Sequence, residues 1–108
     1  MATPSNPLGA IVGTGGDIFL NDTSTLSSSI ILSHLYITSD AVISHIAIGD
    51  IKANGTSVTL ENVTDVQAAR KYTGTIPQGY LICAGEGKGI EHTVCLTSGS
   101  AEGIVFKL

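Results

Sequence analysis

The sequence contains no tryptophan, which weakens a carbohydrate-binding function, and few charged residues, which argues against nucleic-acid binding. Charged residues make up 13% of the 108 residues, with five Lys or Arg against nine Asp or Glu and a net charge of −4. Nucleic-acid binding needs clustered Lys and Arg to neutralise phosphates, and the only adjacent basic pair is Arg70 and Lys71. We therefore predict that the partner is not a nucleic acid.

Long apolar runs are missing as well. No run approaches the roughly 18 residues of a transmembrane helix, and no basic amphipathic stretch indicates binding to a membrane surface. Residues 1–10 lack the positive and apolar regions of a signal peptide. We predict no membrane association and expect synthesis and folding in a cytosol.

The residues that are present predict an all-β fold. Hydrophobic residues make up 43% of the chain, and its length suits one domain. About seven or eight short antiparallel strands, separated by turns, are typical of a single small β-sandwich or barrel. Residues 1–16 hold two of the three prolines and four glycines, which predicts an extended N-terminal arm before a β-sandwich domain at residues 17–108.

Apolar periodicity and turn residues place the individual elements. Asp40 separates two long strands, Asn54 and Gly55 form a turn, and residues 77–79 form another. The only plausible helix is 64–73, with Thr64 as its cap and Gln67 completing a capping box. Residues 97–100 are predicted as a turn at a strand end. We predict strands at 17–20, 28–38, 41–48, 50–54, 57–62, 80–84, 92–97 and 103–108.

Both long strands carry apolar residues on both faces. A strand of this kind is covered twice, by its own core and by a second layer or subunit. We therefore predict that the second face is covered either by a second layer or by another subunit. In the first long strand, Ile30, Leu32 and Tyr36 point one way and Ile31, Leu35 and Ile37 the other.

Residues 85–95, GEGKGIEHTVC, look at first like a phosphate or metal site. A P-loop needs G-x-x-x-x-G-K-[ST] between a strand and a helix, and both the spacing and the Ser or Thr are missing here. A β-hairpin fits better, in which residues 80–84 pair with residues 92–97 around a glycine turn. We therefore predict a turn at these glycines and no bound phosphate.

The register of this hairpin decides the state of the two cysteines. A two-residue loop places Cys83 and Cys95 on opposite faces, whereas a three-residue loop places them opposite each other and allows a disulfide. Cytosolic synthesis favours reduced thiols in either register. Together with His92 the cysteines provide three candidate metal ligands, while tetrahedral zinc needs four. We predict no metal and no cofactor.

No catalytic constellation stands out. All three histidines fall within strand patterns, where packing or a subunit interface is the usual role. No G-x-S-x-G nucleophile elbow occurs, and the carboxylates mostly flank turns, with no pair singled out for glycoside chemistry. We predict that the protein is not an enzyme.

One segment carries a family resemblance. Residues 75–108, TIPQGYLICAGEGKGIEHTVCLTSGSAEGIVFKL, combine an I-P-x-G turn, an apolar strand, a glycine loop, a strand ending in T-S-G-S and a last apolar strand. This order resembles the closing hairpins of small all-β virion accessory proteins of tailed bacteriophages, such as capsid decoration (cement) proteins. The resemblance covers about the last third of the chain.

The resemblance implies a non-enzymatic structural protein, assembled in the host cytoplasm and located on the capsid surface of the virion. It would be a homotrimer that stabilises the capsid by bridging subunits of the major capsid protein. The alternative function is a receptor- or glycan-binding tip domain of a phage tail or adhesin. Candidate capsid-binding residues of the arm are Pro4, Pro7, Leu8, Ile11 and Val12; candidate protomer-interface residues are Leu32, His34, Tyr36 and His45.

Overall fold

The computed structural model describes residues 16–55, 57–67 and 71–106, and these form an all-β domain. The eight strands pair antiparallel in one sheet, which confirms the predicted fold class. The predicted capsid-binding residues Pro4, Pro7, Leu8, Ile11 and Val12 lie outside the described residues. The strands are β1 (Asp17–Leu20), β2 (Leu32–His45), β3 (Ala47–Asn54), β4 (Ser57–Asp65), β5 (Thr75–Ile76), β6 (Leu81–Cys83), β7 (Lys88–Ile90) and β8 (Cys95–Val105).

Strand β2 is the centre of the sheet. The order is β1-β8-β2-β7-β3-β4, and the short strands β5 and β6 also pair with β2. Its partner along most of its length is β8, which in turn pairs with β1. One edge of β2 is therefore occupied by a single long strand, and the other by three short ones.

The core lies on one face of β2. Leu35, Ile37, Ala41 and Ile43 recur at every second or fourth position and are almost completely buried, while most of the residues between them keep some exposed surface. Leu32 also belongs to this core, with no exposed surface. The sequence had placed Leu32 on the face of Tyr36, but the β2–β8 register shifts between Leu32 and His34, and such an irregularity moves a side chain to the other face.

Two predicted breaks lie inside continuous strands. β2 runs through Asp40, and β8 runs through residues 97–100, so the predictions of a strand break and a strand-end turn are wrong. The two irregular stretches face each other, because the register shifts between Ser39 and Val42 where they pair with Ser100 and Ser98. A β-bulge absorbs the extra residue of β2 without ending the strand.

The predicted helix at 64–73 is wrong at its start, and the described residues contain no helix. Thr64 and Asp65 end strand β4 instead of capping a helix. The side chain of Asp65 accepts a hydrogen bond from the backbone N–H of Gln67 (3.0 Å), and the Gln67 side chain donates to the carbonyl of Ile43 (2.8 Å). Gln67 thus fastens this turn to β2.

The predicted hairpin between residues 80–84 and 92–97 is also wrong. β6 pairs with β2, β7 pairs with β3 and β2, and β8 pairs with β1 and β2. Cys83 and Cys95 consequently lie on opposite edges of β2 and are both free thiols, Cys83 exposed and Cys95 buried. The turns predicted at Asn54 and Gly55 and at residues 77–79 are confirmed, the latter by a hydrogen bond from the Tyr80 N–H to the Pro77 carbonyl (3.2 Å).

Candidate binding surface

Four side chains line up across the face of the sheet opposite the core. Phe19 of β1 lies opposite Glu102 of β8, Glu102 lies opposite Tyr36 of β2, and Tyr36 lies opposite Leu81 of β6. Directly opposed residues of antiparallel strands project on the same side, so these four form a continuous row about 14 Å long. We call Phe19, Glu102, Tyr36 and Leu81 the outer-face row.

The outer-face row is apolar at both ends and accessible to solvent. Phe19 is 57% exposed and Leu81 36%, and both are among the few large hydrophobic side chains exposed in the described part of the chain. Tyr36 and Glu102 are half-buried between them. Exposed apolar side chains that share one strip with an aromatic ring mark contact surfaces more often than isolated ones do. The outer-face row is therefore the candidate binding surface.

Glu102 is the unusual member of the row. Burial, followed by a hydrogen bond and charge repulsion from the carboxylate of Asp17, raises the pKa of Glu102 to about 7. A hydrogen bond between two carboxyl groups needs one proton, which favours the neutral form of Glu102. Its Oε2 atom is shielded from solvent and has no hydrogen-bond partner among the described residues. The strip thus contains one half-buried carboxyl group, one oxygen of which is buried without a partner among the described residues.

Glu102→Gln should remove a pH dependence of stability. The folded-state pKa of Glu102 (about 7) lies above its reference value of 4.5, so the folded protein binds more protons in this range and stability falls as the pH rises through it. Because Glu102 remains half-solvated, we expect the wild-type protein to lose only about 1–2 kcal/mol of unfolding free energy between pH 5 and pH 8. Urea denaturation at both pH values should show a smaller loss in the variant.

A suitable control for this measurement is Glu86→Gln, which removes an exposed carboxyl group in the glycine loop. It should leave the pH dependence of the wild-type protein unchanged. If Glu102→Gln and wild type lose the same stability between the two pH values, the carboxyl group of Glu102 is not buried as described.

A second row follows two residues away on the same face. Asp17 lies opposite Ile104, Ile104 opposite His34, and His34 opposite Cys83. The hydroxyl of Ser33 donates to the carbonyl of Ile104 (3.2 Å) and lies 2.8 Å from Nδ1 of His34. The Ser33 hydroxyl thus links the ring of His34 to the backbone of β8. His34 is thereby oriented beside the outer-face row.

The four predicted interface residues do not lie together. His34 and Tyr36 share the outer face, whereas Leu32 is in the core and has no surface left for contact with another protomer. His45 lies at the far end of β2, about 30 Å from Tyr36 along the strand. Its Nδ1 atom is 3.5 Å from an oxygen of Asp65, next to the β3–β4 hairpin. Two of the four residues therefore belong to one surface.

The glycine loop at residues 85–88 is fastened to the β3–β4 hairpin. Lys88 donates to Asp50 (Nζ to Oδ1, 2.6 Å), and Asn62 donates to the other oxygen (3.1 Å), so that these bonds and the nearby lysine charge lower the pKa of Asp50. The N–H of Ile51 also donates to the carbonyl of Gly87 (2.8 Å). Cavities of about 480 and 450 Å³ flank the loop, and the first contains His34 and Cys83. The glycine loop is thus a strand connection braced by an ion pair.

A smaller cavity of about 170 Å³ lies beside β5. Tyr72, Pro77 and Tyr80 contribute to its lining, and the ammonium group of Lys71 lies 5.6 Å from the ring centre of Tyr72. Tyr80 is 48% exposed. The two tyrosines that the sequence brought near each other therefore share one shallow site.

Residues 16–55, 57–67 and 71–106 contain neither a cluster of metal ligands nor a membrane-spanning helix. No three His, Cys, Asp or Glu side chains there are grouped to hold a metal ion. No helix in this part of the protein has the length and apolarity needed to cross a bilayer.

Comparison of the chain with protein-family models, with curated proteins and with solved structures yields no match. Its function must therefore be inferred from its own surfaces. The sequence had pointed to His34 and Tyr36 of the outer face but had missed Phe19, Leu81 and Glu102. The available signal was the alternation in β1, where Phe19 falls between the partly buried Ile18 and the buried Leu20.

Proposed function

We propose that this protein is a non-enzymatic structural virion protein that decorates and stabilises a phage capsid by bridging subunits of the major capsid protein. The observation that carries the assembly role is the exposed outer-face row. The capsid as its location is supported by the residue order of 75–108 alone, which resembles that of decoration proteins although these residues do not pair as the hairpin that the resemblance implied. Assembly would take place in the host cytoplasm, and the protein would act as a homotrimer.

The bridging role has a simple physical basis. A symmetric body that makes several weak contacts at once is held much more strongly than any one contact allows, since later contacts form at high effective concentration. In a decoration protein, each protomer supplies one such contact. We assign the outer-face row, including Tyr36, to the neighbouring capsid subunit, and we leave His45 at the far end of β2 as the candidate for contact between protomers.

Phe19→Asp should weaken capsid binding at least about tenfold, because it places a charge in the middle of an apolar contact. The measurement is cosedimentation of the purified protein with empty capsids from the phage that encodes it. Val63→Asp is the matched control, since Val63 is also an exposed hydrophobic residue (40%) but lies on β4 at the other end of the sheet. Equal binding by both variants would count against the outer-face row.

Deletion of residues 1–12 tests the arm in the same assay. We expect the truncated protein to remain folded and to lose capsid binding, because residues 4–12 contain the predicted arm contacts. Unchanged cosedimentation would remove the arm from the proposal.

Light scattering should give a mass three times that of one chain, and a clean monomer would contradict the homotrimer.

A receptor- or glycan-binding tip domain is the second candidate function. It is favoured by the cavity beside β5, because Tyr72 and Tyr80 could provide the aromatic surface on which sugars stack. Binding to a glycan array that is lost in Tyr80→Ala, together with no cosedimentation with capsids, would support this function over the first.

A further inference from the structure

The outer-face row offers two kinds of contact within one strip. Phe19 and Leu81 provide exposed apolar surface at its ends, and Tyr36 provides an aromatic ring next to the carboxyl group in the middle. A partner that covers this strip removes the remaining water from Glu102. Where the pH keeps Glu102 ionised, an uncompensated buried carboxylate is costly, so a partner that supplies a charged hydrogen-bond donor is favoured.

The described residues contribute the proton that Glu102 shares with Asp17, but no charged donor. Among them, the lysine ion pairs are Lys52 with Glu61 (2.8 Å) and Lys88 with Asp50 (2.6 Å), both in the β3–β4–β7 part of the sheet. The Oε2 atom of Glu102 has no hydrogen-bond partner in the described part of the chain. The carboxyl group of Asp17 next to it adds negative charge to the strip.

We infer that the outer-face row binds an arginine flanked by apolar side chains on a different protein. The planar guanidinium is attracted to carboxylates and also packs on aromatic rings, so a single arginine matches the partly exposed carboxyl group of Glu102 and the ring of Tyr36 together. The neighbouring apolar side chains of the partner would cover Phe19 and Leu81. This inference rests on the proposed assembly function and names the chemistry of its partner.

A second copy of the chain fits the same surface less well. Two-fold pairing through the outer-face row would bring two pairs of Glu102 and Asp17 carboxyl groups together, each with the same sign of charge. The chain as a whole also has a net charge of −4. Charge complementarity therefore favours a basic partner of different sequence.

The test uses three N-acetylated, C-amidated tripeptides: Val-Arg-Val, Val-citrulline-Val and Val-Glu-Val. Citrulline has nearly the shape of arginine but no charge. The peptides are titrated at pH 8 into the full chain with labelled Leu and Ile methyl groups, and methyl NMR spectra are recorded. Leu81 reports on the exposed outer face, Ile104 of the second row is fully buried and reports on the packing beneath that face, and Leu60 of β4 is the control reporter at the far edge of the sheet.

We expect the arginine peptide to shift the Leu81 and Ile104 signals and to bind about fivefold or more tightly than the citrulline peptide. In Glu102→Gln this preference should disappear while the Leu60 signals and the folded spectrum stay unchanged. Equal affinity for arginine and citrulline, tighter binding of the glutamate peptide, or shifts centred on Leu60 would overturn the inference.

Self-association is the remaining outcome that would overturn it. If the Leu81 and Ile104 signals move with protein concentration in the absence of peptide, the occupant of the surface is a second copy of the chain. The capsid assay is independent of these measurements. Loss of cosedimentation in Phe19→Asp together with no preference for arginine would leave the proposed function in place and reject only the partner chemistry.

Discussion

Replacing Gly99 by alanine should destabilise the fold by about 2–5 kcal/mol. Gly99 has a φ of +81°, which L residues rarely adopt, and it lies in β8 where the strand faces the irregular part of β2. A Cβ atom there would collide with the backbone oxygen of Asp40 and lie 2.6 Å from the Cα of Ala41. Both contacts involve backbone or near-backbone atoms, so no side-chain rotation relieves them. Urea denaturation of the purified variant measures the loss.

Gly79→Ala is the matched control for this substitution. Gly79 has a similar φ of +91°, but a Cβ atom at this position meets no other atom within 4 Å. The control isolates the backbone cost, about 1–2 kcal/mol. A difference between the two variants therefore measures the close approach of β8 to β2. If both lose the same stability, the two strands are not packed as closely at Gly99 as the structure has them.

Replacing Leu32 by alanine should cost about 2–5 kcal/mol of unfolding free energy. Leu32 has no exposed surface and lies directly beneath Gly103, where an added Cβ atom would be 2.6 Å from its Cδ1. The loss should appear as a lower urea midpoint with an unchanged m-value.

Leu32→Ala also distinguishes a role of Leu32 in the core from a role at a protomer interface. Leu81→Ala, on the outer face and 36% exposed, should cost less than about 1 kcal/mol. A stable Leu32→Ala protein that fails to assemble would return Leu32 to the protomer interface predicted from the sequence. The expected result is the reverse, in which Leu32 affects folding and Leu81 affects binding.

Local sequence patterns predicted a strand or turn correctly where its bounds depend only on neighbouring residues. β1 was predicted with its exact bounds, because a short apolar segment sits between a glycine pair and Asn21. The Asn54–Gly55 turn and the turn at residues 77–79 followed from residues that adopt turn geometry almost regardless of context. In these elements the information lies within a few neighbouring residues.

Strand pairing could not be predicted in the same way. Residues 80–84 and 92–97 are close in sequence, and their pattern predicted a hairpin. In the structure, strands from both segments pair with β2, which is long enough to bind neighbours along both of its edges. The breaks at Asp40 and at Gly99 were misplaced for a related reason. Each is a poor strand residue alone, and only the bulge between the two strands accommodates them together.

Only part of the candidate binding surface could be predicted from the sequence, because the pairing of distant strands was not predictable. His34 and Tyr36 were found because they alternate with the apolar core positions of β2. Glu102 gave no signal, since its position beside Tyr36 depends on a pairing between distant segments and its altered acidity depends on Asp17 of a third strand. The surface is formed by the pairing of strands that are distant in sequence, and the residue types of one strand do not reveal which strand it pairs with.

The central position of β2 has a consequence for how the protein is made. Thr38 and Ser100, whose hydroxyl groups are 2.6 Å apart, are separated by 62 residues of chain. A nascent polypeptide therefore carries β2 with one edge unsatisfied until the last strand has been synthesised, and closing so long a loop is slow. During that interval the unpaired edge is exposed to other growing chains. Ribosome-bound intermediates of this protein should accordingly depend on chaperones more than the finished domain does.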